Sequence, residues 1–323
     1  MKIAVLGIGS IGGWLAGALA RAGFEPSLVA RGATLTELRR NGLWIEQQSA
    51  SESYRLRAGS AAEMGPQEMV LVALKAQQFT TSLNELEPLL GPDTAVVSVM
   101  NGIPWWFFTE LAGPLQGQHL HSVDPQGEAA SRIAAPRAVG CVVHASVQTV
   151  SPARVRVHSV DKLIFGEPQG GMSVRVQWLV DAFARAGIAT QSSQNIRYDI
   201  WTKLWGNMNM NPLSALARAS TLRLLDDPDV NELCVRMMTE MAAAGARLGL
   251  RPASTAQERM AMTRKLGDFK PSMLQDIEAG RPLEYAAQLG AVVEIAQRLG
   301  VPAPFCASVL GLTRLLSQRA HAA

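Results

Sequence analysis

The segment Trp201–Leu213 carries the densest set of side chains that could perform chemistry. Lys203, Asn207 and Asn211 are four residues apart, so on a helix they lie close to one face. Asparagine is a poor helix former, and its repeated use in an apolar helix needs a reason. A lysine flanked by tryptophans should be partly desolvated, which favours its use as a proton donor. The alternative is a hydrogen-bond ladder between helices with a lysine that reaches solvent. Pro212 predicts a bend or break after this face.

A glycine-rich loop near the N-terminus predicts a dinucleotide site. The run Gly7-Ile8-Gly9-Ser10-Ile11-Gly12 follows a short apolar strand and opens a helix. The first glycine permits a tight turn, the second lets the backbone approach a pyrophosphate, and the third lets helix and strand pack closely. The start of the helix then offers N–H groups to phosphates. The alternative is a glycine-rich turn that binds nothing.

The end of the second predicted strand, Leu28-Val29-Ala30-Arg31-Gly32, bears on the choice of cofactor. Folds that bind NAD usually place an acid there for the ribose hydroxyls. This chain has none, and Arg31 is placed to meet a 2′-phosphate, so NADP(H) is the expected cofactor. The alternative is an arginine that is solvated on the surface.

Two further candidates follow apolar runs that predict strands. Lys75 ends one run and Asn101, followed by Gly102, ends the next. Ligands of open α/β sheets bind beyond the carboxyl ends of the strands, so Lys75 is expected beside the nicotinamide. An exposed lysine at the end of a strand and an ordinary Asn-Gly turn are the alternatives.

A third polar cluster, near the C-terminus, contains Ser272, Asp276 and Glu284. Local sequence allows Ser272 to cap a helix together with Gln275, and Glu284 to complement a helix dipole. For Ser272 and Glu284 these interpretations and a functional one remain equally open. Asp276 is expected to face solvent.

The elements that must position these residues form an α/β pattern. Strand-like runs are predicted at 2–6, 26–30, 69–74, 94–100, 138–150, 154–158 and 163–166, with helices at 11–22, 35–41 and 80–90 between the first of them. This alternation predicts a parallel, Rossmann-type sheet covered on both faces. Composition shifts near Gly166–Ser173, and the remainder predicts helices at about 227–248, from 255, from 272, and at 283–299 and 304–317. We therefore expect an NADP-binding domain at 1–168 and an all-α substrate and catalytic domain at 169–323.

Composition narrows the class of protein. The chain has 323 residues, a formal net charge of +3 and three cysteines that are far apart. No run of Lys and Arg predicts nucleic-acid binding, no apolar run is long enough to cross a membrane, and no Cys/His spacing predicts a metal site. A cytoplasmic enzyme is expected. A homodimer is compatible with the helical half, although no interface stripe requires it.

In order along the chain, the glycine loop, Leu74-Lys75-Ala76, Asn101-Gly102, the segment Lys203–Leu213 and Ser272-Met273-Leu274-Gln275-Asp276-Ile277 resemble the ketopantoate reductase (2-dehydropantoate 2-reductase) family over nearly the full chain. The resemblance implies NADPH-dependent reduction of ketopantoate to pantoate, a step of pantothenate biosynthesis. It implies Lys203 as general acid and Glu284 as the active-site glutamate. Lys75 and Asn101 are implied to line the cofactor and substrate cleft, Asn207, Asn211 and Ser272 to bind substrate, and Arg31 to contact the NADP phosphate.

Departures from the family concern the substrate. The aromatic run Trp105–Phe108 replaces a more polar stretch, the connection at about 116–137 is longer, and Ala286 stands where members commonly carry a second acid. A paralogous reductase of another 2-oxo acid is therefore an alternative. A non-enzymatic NADP-binding sensor is a second one, although a sensor needs no proton donor.

Overall fold

A computed structural model describes residues 1–48 and 50–322. Their contacts divide into two compact units: unit 1 comprises Met1–Met100 and Glu128–Asp199, and unit 2 comprises Asn101–Gly127 and the chain from Ile200 onward. The predicted fold class, a Rossmann-type domain and a helical domain, is confirmed. The contact-defined units do not follow the boundary predicted at residue 168, because the segment 169–199 packs in unit 1 and the aromatic stretch after Met100 packs in unit 2.

Unit 1 is built on a ten-stranded mixed sheet. Its strands are β1 Ile3–Leu6, β2 Ser27–Val29, β3 Leu43–Gln47, β4 Ala50–Tyr54, β5 Ala58–Gly59, β6 Gln67–Val72, β7 Leu90–Ser98, β8 Ala138–Ser151, β9 Arg154–Gly166 and β10 Thr190–Ser192. The order is β4-β3-β9-β8-β7-β6-β1-β2-β5, and β10 pairs with β9. The pairs β3/β4 and β8/β9 are antiparallel, and the others are parallel.

The register of the central strands aligns their carboxyl ends. Leu6 of β1 pairs with Val29 of β2 and with Val72 of β6, and Val72 pairs with Ser98 of β7. The loops that follow β1, β2 and β6 therefore leave the sheet at the same edge. Strand β1 is a fully buried apolar run, and so is the part of β6 from Met69 to Val72, as expected for a parallel sheet covered on both faces.

The helices of unit 1 are α1 Ser10–Arg21, α2 Gly32–Asn41, α3 Ala61–Met64, α4 Ala76–Phe79, α5 Leu83–Leu86, α6 Glu128–Arg132 and α7 Val174–Arg185, with 3₁₀ turns at Thr80–Ser82, Glu87–Leu89 and Ala135–Arg137. The apolar face of α1 packs on the sheet, where Gly17 lies directly over Ile45 of β3. This face of α1 and the strand residues below it belong to one buried apolar cluster of unit 1.

Several predicted elements of unit 1 differ from the structure. The helix predicted at 80–90 is broken into short α and 3₁₀ turns that end at Pro88 and the start of β7. The two runs at 154–158 and 163–166 form one strand, because bulges opposite β8 absorb the polar residues between them. Strands β3, β4, β5 and β10 escaped prediction because they are short or largely polar.

Unit 2 consists of helices, with the irregular stretch 101–127. The helices are α8 Ile196–Ala217, of which the part from Ile200 belongs to this unit, α9 Thr221–Asp226, α10 Pro228–Arg247, α11 Ala256–Lys265, α12 Ser272–Glu278, α13 Ala291–Arg298 and α14 Pro304–Ala322, with a π-helical turn at Ala286–Gly290 before α13. The capping box of Thr255 and Glu258 at the start of α11 is confirmed, and Asp227 caps α10.

The structure of unit 2 differs at three places from what local sequence suggested. Ser272 is the first residue of α12 and makes no cap, because Pro271 takes the cap position. The helix predicted at 283–299 starts only at the π-helical turn. Pro212 does not end α8, and the Ser214 hydroxyl donates to the Asn211 carbonyl (2.8 Å), which adds a local bond at the turn.

Within the part of the chain that the structure describes, no helix is long and apolar enough to cross a membrane. The same residues contain no cluster of three or more His, Cys, Asp or Glu side chains that is suited to holding a metal ion.

Candidate active site

The glycine loop after β1 has the geometry of a phosphate cradle. Gly7 adopts φ +93°, and a Cβ there would stand 2.7 Å from Leu74 Cδ2, whereas a Cβ on Gly12 would stand 1.9 Å from the Gly7 carbonyl oxygen. Around Gly9 a Cβ would meet nothing within 4 Å, so this backbone borders open space. Gly9 caps α1 without a side-chain hydrogen bond, which leaves the first N–H groups of the helix for a ligand.

Arg31 caps α2 after β2, and its side chain is exposed. Its Nη1 donates to Glu85 Oε1 at 2.5 Å. Arg39, the neighbouring candidate, pairs instead with Glu63 (2.8 Å). Arg31 is therefore an exposed arginine in an ion pair, and an exposed ion pair contributes little to stability.

Lys75 lies three residues beyond the end of β6 and caps the short helix α4. The two residues before it, Ala73 and Leu74, are the ones against which Gly7 packs. Unit 1 thus brings Lys75 to the same edge of the sheet as the glycine loop, where the sequence predicted it. Its side chain is half-buried.

In unit 2 the structure joins two predicted residues that are distant in sequence. Lys203 Nζ donates to Asn101 Oδ1 at 2.9 Å, and both side chains are half-buried. An amide oxygen that accepts from the ammonium fixes one of its three N–H directions. Asn101 is therefore more than part of an ordinary turn.

The Asn101-Gly102 turn is fixed to the π-helical turn before α13. Gly102 adopts φ +88°, and a Cβ there would stand 2.2 Å from the Ala287 carbonyl oxygen. That oxygen accepts the Ile103 N–H at 2.9 Å. Only glycine fits this close approach, and π-helical turns are frequent at functional sites.

The asparagines of α8 divide into two kinds. Asn211 is buried and its Nδ2 donates to Gln288 Oε1 (2.8 Å), again in the π-helical turn. Asn207 is half-buried, one turn after Lys203. Asn209 is fully buried and donates to the Cys234 carbonyl of α10 at 3.4 Å. The alternative interpretation, a hydrogen-bond ladder between helices, therefore applies to Asn209, whereas Asn211 bonds to the π-helical turn that also holds the Asn101 loop.

The C-terminal cluster is only partly assembled. Met273, Leu274 and Leu283 form a small core with Ala215 near the end of α8. This core brings the segments of Ser272 and Glu284 to that end of the helix. Glu284 is buried, at 8% exposure, just before the π-helical turn, and Ser272 is exposed.

Asp276 does not face solvent, which corrects the prediction. It is 6% exposed, and Arg281 Nε donates to its Oδ1 at 2.9 Å. The pair closes the C-terminal end of α12, where the Arg281 N–H also donates to the Asp276 carbonyl. Its role is therefore structural.

The aromatic run after Asn101 is core. All four side chains of Trp105–Phe108 are at most 4% exposed, and the Phe107 ring lies 6.4 Å from that of Trp201 in α8. The run therefore secures the loop of Asn101 to the helix of Lys203 from inside unit 2. Nothing in this burial points to contact with a substrate.

The following stretch is tied to α13. Glu294 accepts the N–H groups of His121 and Ser122, each at 2.8 Å, and pairs with Arg298 at 2.5 Å. Burial alone would raise the pKa of the Glu294 carboxyl, but these N–H donors and the Arg298 charge bring it below its ordinary value.

Both halves of the chain match models of one family. Residues 3–170 match the model described as "Ketopantoate reductase PanE/ApbA" and residues 195–317 match its C-terminal model. The chain belongs to the ketopantoate reductase family. It is thus an oxidoreductase that acts on CH–OH groups.

Ketopantoate reductase relatives match over their whole length. A 2-dehydropantoate 2-reductase of Mesorhizobium japonicum is 40% identical over 98% of both chains. A crystal structure of a candidate ketopantoate reductase from Ralstonia solanacearum has a TM-score of 0.95 at 44% identity and covers 99% of this chain and 98% of that one. A 2-dehydropantoate 2-reductase of Methylococcus capsulatus has a TM-score of 0.83 at 29% identity, over 99% and 98%.

Ketopantoate reductases depend on a pyridine nucleotide, and the residues present fit one. The open backbone at Gly9 and the uncapped start of α1 suit its phosphates. Sequence reasoning missed Ala287 and Gln288, which hold Asn101 and Asn211 in place. It also passed over Gly206, although a glycine in the middle of a helix asks for a packing reason.

Proposed function

We propose that this chain reduces ketopantoate to pantoate with NADPH, and that Lys203 is the general acid. The observation that carries the proposal is the hydrogen bond from Lys203 to Asn101, made by a half-buried lysine inside a family of 2-dehydropantoate 2-reductases. A proton donor at that place has no purpose in a sensor.

When bound, NADPH supplies the hydride that adds to the ketone carbon. Negative charge then develops on the carbonyl oxygen, and Lys203 stabilises it and donates a proton, which completes the hydroxyl and leaves a neutral amine. Asn101 orients the ammonium for this transfer. General acid catalysis contributes about 10²- to 10⁴-fold.

The remaining site residues orient the substrate in this proposal. Three side chains offer hydrogen-bonding groups to the hydroxyl and carboxylate of ketopantoate: Asn207, Asn211 and Ser272. The Asn211 Nδ2 donates to Gln288 Oε1, which orients the Asn211 amide. In this proposal Glu284, a buried carboxylate, contacts the substrate and offers a negative charge to the Lys203 ammonium.

Unit 1 supplies the cofactor side of the proposal. The glycine loop Gly7–Gly12 binds the pyrophosphate, and Lys75 lies beside this loop. Arg31 leaves its ion pair with Glu85 and pairs instead with the 2′-phosphate of NADPH. A phosphate carries more charge than a carboxylate and accepts a bidentate guanidinium, so the exchange is favourable.

The test is NADPH oxidation by the purified protein with ketopantoate and a panel of other 2-oxo acids, alongside Lys203→Ala and, as a matched control, Lys265→Ala on the exposed face of α11. Preferred turnover of ketopantoate that Lys203→Ala abolishes and Lys265→Ala keeps is the expected result. Preference for another 2-oxo acid overturns the substrate, and full activity of Lys203→Ala overturns the general acid.

A further inference from the structure

Arg259 of α11 rests on the backbone of α8 at Gly206. A Cβ on Gly206 would stand 2.6 Å from Arg259 Nη2 and 3.2 Å from both Cζ and Nε. The guanidinium therefore occupies the space that a side chain at position 206 would fill. Glycine in the middle of a helix is less stable than alanine, and this close approach is the reason for its use here.

That space lies beside the turn of Lys203. Gly206 follows Lys203 by three residues, so both positions lie on neighbouring parts of one helix face. Side chains of a helix lean toward its N-terminus, so the patch that belongs to position 206 lies over the preceding turn, which is that of Lys203. The Arg259 guanidinium covers this patch in place of the missing side chain.

The charge of Arg259 lacks a counterion among the residues that the structure describes. Its Nε is buried without a hydrogen-bond partner, and no described carboxylate lies within ion-pair distance of its guanidinium. Arg264, on the same helix, shows the usual arrangement: it pairs with Asp226 at 2.6 Å. Burial lowers the pKa of the Arg259 guanidinium below its ordinary value, although it remains charged at neutral pH.

A partly buried cation without an anion is costly unless a ligand supplies the anion. We propose that Arg259 binds the carboxylate of the substrate, an inference that rests on the proposed 2-oxo acid chemistry of this site. The carboxylate of such an acid is bonded directly to the ketone carbon. A substrate whose ketone oxygen receives the Lys203 proton therefore holds its carboxylate within a few ångströms of the same helical turn.

The guanidinium also suits this ligand in shape. Arginine presents two parallel N–H groups to a planar carboxylate, and such bidentate pairs are strong and directional. Lys203 of α8, which binds the ketone oxygen, and Arg259 of α11, which binds the carboxylate, then distinguish a 2-oxo acid from a simple ketone.

The experiment compares wild type with Arg259→Gln, Arg259→Lys, Gly206→Ala and the control Lys265→Gln. Two quantities are measured: the dissociation constant for oxamate, a non-reacting 2-oxo acid analogue, in the presence of NADP⁺, and kcat and KM for ketopantoate. Circular dichroism and the thermal midpoint report folding. Arg259→Gln should raise both the dissociation constant for oxamate and the KM for ketopantoate roughly 10- to 100-fold. Lys265→Gln should change neither.

The other two variants separate binding from folding. Arg259→Lys keeps the positive charge but lacks the two parallel N–H groups of the guanidinium. It should therefore recover part of the oxamate affinity that Arg259→Gln loses. Gly206→Ala places a methyl group where the Arg259 guanidinium rests. It should therefore weaken oxamate binding although the arginine itself is still present. Folded Arg259→Gln with wild-type affinity for oxamate overturns the assignment.

The two proposals fail separately in this design. If wild type does not reduce ketopantoate, but oxamate binding depends on Arg259, the proposed substrate is wrong and the carboxylate site stands. If ketopantoate is reduced with the same KM by wild type and Arg259→Gln, the substrate stands and the carboxylate site is wrong. Absence of oxamate binding by wild type overturns the Arg259 assignment directly.

Discussion

The Lys203 ammonium donates a 2.9 Å hydrogen bond to the Asn101 amide oxygen, from a helix to a loop that lies 102 residues earlier in the chain. The loop is held in turn by Ala287, which accepts the Ile103 N–H. The position of the proposed proton donor thus depends on three separate segments of unit 2.

Replacing Lys203 by alanine should lower kcat by about 10²- to 10⁴-fold, because the developing oxyanion loses its proton donor and its counter-charge. NADPH affinity, measured by fluorescence titration, should remain within a factor of about two. Equal losses in kcat and in cofactor affinity would instead indicate a folding defect.

Replacing Asn101 by alanine should lower kcat by roughly 10- to 100-fold, since one hydrogen bond to the ammonium is worth about 1.5–3 kcal/mol. Because the donor itself remains, the loss should be smaller than that of Lys203→Ala, and the double variant should be no worse than Lys203→Ala alone. Additive losses would show that the two residues act independently.

Arg31→Ala should weaken NADPH roughly 10- to 100-fold and leave NADH almost unchanged, because only NADPH carries the 2′-phosphate. Glu85→Gln is the complementary variant. It removes the acid that now pairs with Arg31 at 2.5 Å and should tighten NADPH several-fold. If both variants affect the two cofactors alike, Arg31 is not the phosphate contact.

Gly102→Ala should destabilise the fold by about 2–5 kcal/mol, from backbone strain and from the clash with the Ala287 carbonyl. Gly117→Ala is the matched control, because Gly117 also has a positive φ (+73°) but open space around it. It should cost only the strain, about 1–3 kcal/mol. Urea unfolding measures both, and equal costs would contradict the close approach.

Acid should weaken the attachment of the 121–122 stretch to α13. The pKa of the Glu294 carboxyl is lower in the folded chain than in the unfolded one. Its contribution to the free energy of unfolding is therefore complete above about pH 5 and is lost as the pH falls through the folded pKa. Glu294→Gln should cost about 1–3 kcal/mol at pH 7 and much less near pH 3. Exposed Glu110, changed to Gln, should cost almost nothing at either pH.

The features that could be predicted from the sequence are those that depend on residue spacing within one helix, strand or loop. The glycine loop, Lys75 beyond its strand, and the face of Lys203, Asn207 and Asn211 all follow from spacing along one element. The Asn101 contact, the π-helical turn and Arg259 could not be predicted so, because each depends on tertiary packing between distant segments. Asp276 was misjudged for a different reason: its partner Arg281 is only five residues later in the chain, but it lies beyond the end of the helix, where helical spacing does not apply.

The division of unit 2 into two stretches of chain has a consequence for synthesis. Trp105–Phe108 emerges from the ribosome long before Trp201, against which Phe107 packs. During that interval the Phe107 ring lacks this partner, and apolar surface that is exposed in this way favours aggregation. A fragment that stops at Asp199 should accordingly aggregate unless residues 101–127 are replaced by a short polar linker.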